Sequence, residues 1–163
     1  MPIEWLSEEK CKKMLNYQIY GRLATAGKDN VPYITPVNYA YYDNAIYIHC
    51  ALQGRKLNNI KENPIVCFEI SASGNFYDSD KACGFGMAYW SILISGRAEI
   101  VQSMDIKRSG LNAIMEKYAS QFEYSDFTDD DLTRVNIIKI NIESISGKTR
   151  LEADNYPPLH SEE

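Results

Sequence analysis

The run His49-Cys50-Ala51-Leu52-Gln53-Gly54-Arg55-Lys56-Leu57 gathers the side chains of this chain best suited to holding a ligand. It leads from an apolar stretch through small residues into a segment where Leu57 and Ile60 stand one helical turn apart. That is the pattern of a strand end, a turn and a helix start. A helix N-terminus offers unpaired N–H groups and the positive end of a dipole, both of which favour an anion. The same dipole repels cations, so Arg55 and Lys56 in the first turn are best explained by a dianion in front of them. Arginine would grip a phosphate with two parallel bonds, and lysine would add a mobile point charge. A solvated surface Arg-Lys pair is the competing reading, and the run alone does not separate the two.

The rest of the chain narrows the partners. Among 163 residues, 17 are Lys or Arg and 22 are Asp or Glu, a net charge of −5. A sequence-independent grip on nucleic acid needs the opposite balance, so any bound anion must meet a local basic cluster. Cys11, Cys50, Cys67 and Cys83 lie far apart without a C-x-x-C or a histidine pair, so no metal site is expected. Their spacing, with no apparent leader segment, suggests reduced thiols in the cytoplasm. No run approaches the roughly 18 apolar residues of a membrane span. The acidic stretch Tyr124–Asp131 lacks the alternating ligands and glycine of a calcium loop and reads as a surface connection.

One domain is expected over residues 1–163, with an amino-terminal helical segment in 1–20 and an extended tail over 146–163. Ser7 is an N-cap candidate followed by Glu8 and Glu9, and Cys11, Met14 and Leu15 form an apolar stripe, which predicts a helix over 7–18. Strands are expected at Arg22–Ala26, Val31–Tyr42, Ala45–Cys50, Ile65–Ser71, Trp90–Val101 and Ile138–Glu143. Pro32 and Pro36 should make the second of these irregular near Pro36. Helices are expected from Gly54 to Asn63 and over 104–119, and a long loop over Ser73–Gly86. The pattern is mainly β with flanking helices, and six strands joined mostly by short turns favour one antiparallel barrel.

The segments G-R-L-A-T, V-P-Y-I-T-P-V-N-Y-A-Y and I-Y-I-H-C-A-L-Q-G-R-K-L-N-N-I-K-E-N-P resemble the FMN-binding split barrels, the pyridoxamine 5′-phosphate oxidase-like proteins. Ala82-Cys83-Gly84, Y-W-S-I-L-I-S-G-R-A and Ser146-Gly147-Lys148 extend the likeness, which leans to the nitroimidazole-resistance, or flavin-nucleotide-binding, branch. The resemblance implies a six-stranded antiparallel split β-barrel of Greek-key type. It also implies a homodimer with two FMN sites (FAD being possible) at the subunit interface. Carried onto this sequence, Arg55 and Lys56 hold the ribityl phosphate, and Ser91 helps from a neighbouring strand. Thr35, Pro36, Val37 and Asn38 flank the ring, and His49, Cys50 and Ala51 line the site. Trp90 stands where the family often has an arginine, and the acidic tail argues against a vitamin B6 substrate.

The expected function is FMN-dependent reduction of small aromatic or nitro compounds, with a nicotinamide electron donor and no nucleic-acid or membrane partner. His49 is the candidate proton donor, and Tyr39, Tyr41, Tyr89 and Trp90 are candidate pocket walls. The alternatives are a flavin carrier or sensor without turnover, or the same barrel holding haem, through the tail His160, or a deazaflavin.

Overall fold

The computed structural model describes residues 3–150; the expectations for Met1, Pro2 and the tail beyond Arg150, His160 included, lie outside them. Eight strands form one sheet. They are β1 (Glu4–Leu6), β2 (Gly21–Ala26), β3 (Pro32–Val37), β4 (Ala40–Tyr42), β5 (Ala45–Cys50), β6 (Ile65–Tyr77), β7 (Gly86–Ile100) and β8 (Asn136–Arg150). Every pairing among the described residues is antiparallel, in the order β3-β2-β6-β7-β8-β5-β4, with β1 added to β8. Four helices flank it: α1 (Glu8–Met14), α2 (Arg55–Glu62), α3 (Met104–Ala119) and α4 (Asp129–Thr133).

The order has one geometric consequence. β3 and β4 lie at opposite edges of the sheet, yet only Asn38 and Tyr39 separate Val37 from Ala40. Three Cα steps reach at most about 11 Å, so the sheet must curl until its edges almost meet. That is a split barrel, mainly β with flanking helices, as the sequence predicts. Leu23, Phe68, Ile70, Trp90, Ile92, Ile94, Ile138 and Ile140 fill its interior, all fully buried. A second cluster of Tyr47, Leu111, Leu132 and Ile137 lies under α3 and α4. Two glycines permit the close approaches. A Cβ on Gly96 would sit 2.3 Å from the Asn141 carbonyl oxygen, beside the β7–β8 irregularity, and one on Gly110 2.7 Å from the Tyr47 ring.

Several boundaries differ from the sequence reading. The segment Val31–Tyr42 is two strands, and the break falls at Asn38–Tyr39; β3 keeps an unbroken register through Pro36, paired with Arg22. An edge strand has one neighbour, so proline costs it little. The expected loop over Ser73–Gly86 is shorter than predicted, running over 78–85 and including a 3-10 turn at Ala82–Gly84, because β6 continues to Tyr77 and β7 starts at Gly86 with a register shift between Ser73 and Phe76. The added strand ends carry no apolar alternation, so only backbone pairing marks them as strand. Residues Ser146–Arg150, read as tail, belong to β8, where β1 and β7 flank them. Part of the acidic connection is α4, closed by a capping box between Thr128 and Asp131.

Helix α1 begins after the Ser7 cap but stops at Met14 rather than continuing to Gln18. The Leu15 carbonyl accepts from the Tyr39 hydroxyl at 2.5 Å and from Lys117 Nζ at 3.5 Å, so it is taken before a further helical turn could use it. The Tyr118 hydroxyl accepts from the Tyr39 N–H at 3.0 Å and lies within donating distance of the Ile19 and Tyr39 carbonyls. Lys117 Nζ stands 3.5 Å from the Tyr39 ring centre, and burial lowers its ammonium to about 7.

The folded chain thus releases the Lys117 proton at lower pH than the unfolded chain does. The resulting destabilisation is fully present below about pH 7 and fades as pH climbs toward the ordinary lysine value of 10.5. Lys117→Met is therefore expected to melt several degrees above the unmodified chain at neutral pH. The gap should close on raising the pH; a gap of constant size in paired thermal melts would contradict the burial argument.

Candidate functional site: the Gly54 turn and the outer face of the sheet

The turn after β5 is shaped by its glycine. Gly54 has φ +148° and ψ 165°, a conformation that side chains other than glycine strongly resist, and open space lies where its Cβ would project. It is the N-cap of α2, so no side chain caps the helix, and no acidic residue occupies the first turn. The Gly54 carbonyl accepts from the N–H groups of Leu57 and Asn58, while the N–H groups of Arg55 and Lys56 have no intrahelical acceptor by construction. The turn itself is pinned by Asn136 Nδ2, which donates to the Leu52 carbonyl at 3.2 Å. The far end of α2 is anchored to β2 through Asn59 Nδ2 and Thr25 Oγ1, 3.0 Å apart.

β3 meets this turn through a ring. The Arg55 guanidinium lies 4.8 Å from the centre of Tyr33, and Tyr33, Thr35 and Val37 share the partly covered face of β3. Thr35 Oγ1 is buried without a hydrogen-bond partner. Cys50 is buried at the end of β5; burial pushes its thiol up, and the Lys56 charge pulls the other way. A raised thiol is a poor nucleophile, and none of the four cysteines is bonded to another. The structure therefore brings Arg55, Lys56, Cys50, Ala51 and the covered side of β3 to one end of the barrel.

Other predicted residues are placed differently. Pro36 lies on the opposite face of β3, opposite Arg22 of β2. Asn38 is exposed, its Nδ2 donating to the Ile19 carbonyl at 3.0 Å. His49, the single histidine among the described residues, is exposed on the face of β5 that carries Ala45 and Tyr47, opposite Ile48 and Cys50. Ser91 sits on the outer face of β7, paired with Ser71 and Lys148. Its strand position is four residues from Ser95, about 13 Å along β7, and Ser95 lies on the row Ile34–Ala24–Cys67 next to Tyr33. Within one chain Ser91 is not part of the Arg55 grouping.

Ser91 instead borders an open cavity of about 570 Å³ on the outer face, with Tyr20, Arg22, Glu69, Tyr89 and Lys148. Arg22 Nη1 pairs with Glu69 Oε2 at 2.7 Å and reaches Ser71 Oγ at 3.4 Å. A second hollow of about 420 Å³, lined by Ile34, Ala24 and Cys67, continues past the same Arg22–Glu69 pair. Of the tyrosines proposed as pocket walls, Tyr89 borders the cavity. Tyr39 is a core residue edge-on to Phe68, with centres 4.8 Å apart, and Tyr41 packs against the core with its hydroxyl near Asn44. Trp90 faces inward and is fully buried, edge-on to Tyr17. Outward positions alternate along β2, β6, β7 and β8, which could have suggested a shared face. Only the register shows that Arg22, Glu69, Ser91 and Lys148 meet.

Among the described residues no three His, Cys, Asp or Glu side chains converge as a metal group, and no helix is long and apolar enough to cross a membrane. Among curated protein sequences none matches this chain. Solved structures that share its fold include the following three. A candidate 5-nitroimidazole antibiotic resistance protein from Bacteroides thetaiotaomicron superposes with TM-score 0.75 at 20% identity, over 91% of this chain and 89% of that one. A FAD-binding protein from Mesorhizobium loti gives 0.68 at 24%, over 93% and 99%. A FAD- and haem-binding protein from Mycobacterium smegmatis gives 0.80 at 18%, over 92% and 77%. At these identities the likeness is one of fold. The sequence profile of the pyridoxamine 5′-phosphate oxidase family, however, matches residues 7–149, and with it the chain belongs to that family.

Proposed function

We propose that this protein binds FMN, with its phosphate at the α2 N-terminus, and serves as a flavin-dependent reductase of small aromatic or nitro compounds. The observation that carries the reading is the pair of cations, Arg55 and Lys56, in an uncapped first helical turn behind an open Gly54. A dianion there satisfies the free N–H groups, the dipole and both side chains together. The orphaned Thr35 Oγ1 supplies a hydroxyl on the strand that would flank the ring, next to Pro36, Val37 and Asn38. Cys50 and Ala51 close the same end, and exposed His49 is the candidate proton donor. When bound, flavin supplies the electron and hydride transfer, while these residues hold and orient it. The likeness to FAD-binding split barrels supports a flavin of either length.

A second copy of the chain fits the proposal. Ile34, Leu93 and Met87 are exposed on the outer face of β3 and β7, and Phe76 and Phe85 stack at the tip of the β6–β7 hairpin with centres 5.8 Å apart. Apolar side chains spread along one sheet face suit a two-fold interface.

The decisive experiment is a visible spectrum of the fresh protein, with FMN added if it is colourless, followed by anaerobic NADH and NADPH. Bound flavin that bleaches with a donor and recovers with a nitroaromatic acceptor is the expected result. Flavin that stays oxidised with both donors would favour the carrier or sensor reading, and failure to bind flavin would end the proposal.

A further inference from the structure

The stretch that would meet a phosphate has almost no packing of its own. Ala51, Leu52, Gln53, Gly54 and Arg55 are all exposed. Burial therefore fixes only the two ends of the turn, Cys50 at the close of β5 and Leu57 on the inner side of α2. Ordering a backbone costs conformational entropy, and an exposed turn left to itself meets that cost at the moment of binding. Among the described residues, one side chain reaches residues 51–54 from outside. Asn136 Nδ2 donates to the Leu52 carbonyl at 3.2 Å. Asn136 and Cys50 are the last register pair of β5 and β8, so the amide adds one hydrogen bond just past the point where the ladder ends.

The base from which Asn136 reaches is itself fixed. The neighbouring Ile137 carbonyl accepts from the Val101 N–H at 2.9 Å. On the other side, buried Lys107 of α3 donates to the Val135 and Leu132 carbonyls at 3.2 and 3.3 Å. A side chain standing on rigid elements can impose its position on a loop. We propose that Asn136 is a positioning residue for the anion cradle. By holding the Leu52 carbonyl it keeps Gly54 and the first turn of α2 in their binding geometry before any anion arrives. The inference rests on the flavin reading for the identity of that anion, whereas the ordering of the empty turn is a property of the chain alone. It makes the effect specific to the phosphate, because Asn136 is bonded to the cradle and not to β3, which would flank the ring.

The test compares FMN with riboflavin, which carries the same ring and no phosphate, by fluorescence titration of the full chain. NMR order parameters of the flavin-free protein accompany it. Asn136→Ala is expected to weaken FMN about tenfold, the scale of one lost hydrogen bond, and to leave riboflavin unchanged. Order parameters should fall over residues 52–56 and stay constant in β5 and β8. Asn136→Leu, which keeps the bulk but cannot donate, should behave alike and carries the test if the alanine variant does not fold. An equal loss for both flavins would make Asn136 a general structural residue and overturn the proposal. So would unchanged FMN affinity, or order parameters that do not move in the turn. A chain that takes up neither flavin would end the flavin reading alone, and inorganic phosphate would then replace FMN in the titration. Phosphate weakened by the substitution would support the positioning role; phosphate unaffected, or never bound by the unmodified chain, would overturn it.

Discussion

Replacing Arg55 and Lys56 together with alanine is expected to weaken FMN binding by at least about 100-fold while leaving the melting temperature almost unchanged. The first half follows from the contacts removed. Each charge-assisted hydrogen bond contributes about 1.5–3 kcal/mol, and two of them amount to a factor of about 100 or more. The second half follows from what these side chains do for the fold, which is little. Arg55 is exposed and Lys56 half-buried, and the one contact either makes with the rest of the chain through a ring is Arg55 over Tyr33, worth about 0.5–1 kcal/mol at an exposed site. Removing two cations from a helix N-terminus returns about 0.3–1 kcal/mol for each unfavourable dipole interaction relieved. The two effects nearly cancel. Fluorescence titration of FMN beside a thermal melt reads both quantities. Unchanged affinity would place the phosphate elsewhere, and a large loss of stability would make the pair structural.

Trp90→Ala is expected to destabilise the chain by about 3–5 kcal/mol, the largest single-site effect we anticipate. Where the family often carries an arginine, this chain has an indole that faces into the barrel, fully buried and edge-on to Tyr17 with centres 6.4 Å apart. Truncation removes the largest buried side chain of the core, leaves a cavity, and forfeits an aromatic pair worth about 0.5–1.5 kcal/mol beyond its area. At about 2–4 °C per kcal/mol for a chain of this size, the melt should fall by roughly 6–20 °C. Trp90→Phe should recover most of the loss. A urea-unfolding loss below about 1 kcal/mol for the alanine variant would show that the indole does not anchor the interior. The residue therefore replaces a family charge with packing.

Much of the site was legible because it is local. The Gly54-Arg55-Lys56 signal spans one turn, and helix-terminus physics depends on neighbours three or four positions apart, so the sequence alone located a cationic helix start there. The alternation of Ile138, Ile140 and their neighbours marked β8, and the N-cap pattern at Ser7 set the start of α1, where Ser7 accepts from the third residue on. Segments whose state depends on a distant strand were not legible. The β6–β7 hairpin past Ser73 has no apolar period and is held by pairing alone. β1 is three residues long and exists because β8 offers it an edge. Helix α1 ends early because a carbonyl is claimed by Tyr39 and Lys117, 24 and 102 residues away.

The sequence by itself determined the class of fold, the place of the cationic helix start and the family, since each rests on residue type and short spacing. Tertiary structure alone decided that Asn38 and Tyr39 bridge the two edges of the sheet, that Trp90 points inward, and that within one chain Ser91 lies with Lys148 rather than with Arg55. The physical reason is register. Strand pairing sets which side chains share a row, one residue of slip turns a side chain to the other face, and nothing within a single strand records its partner's position.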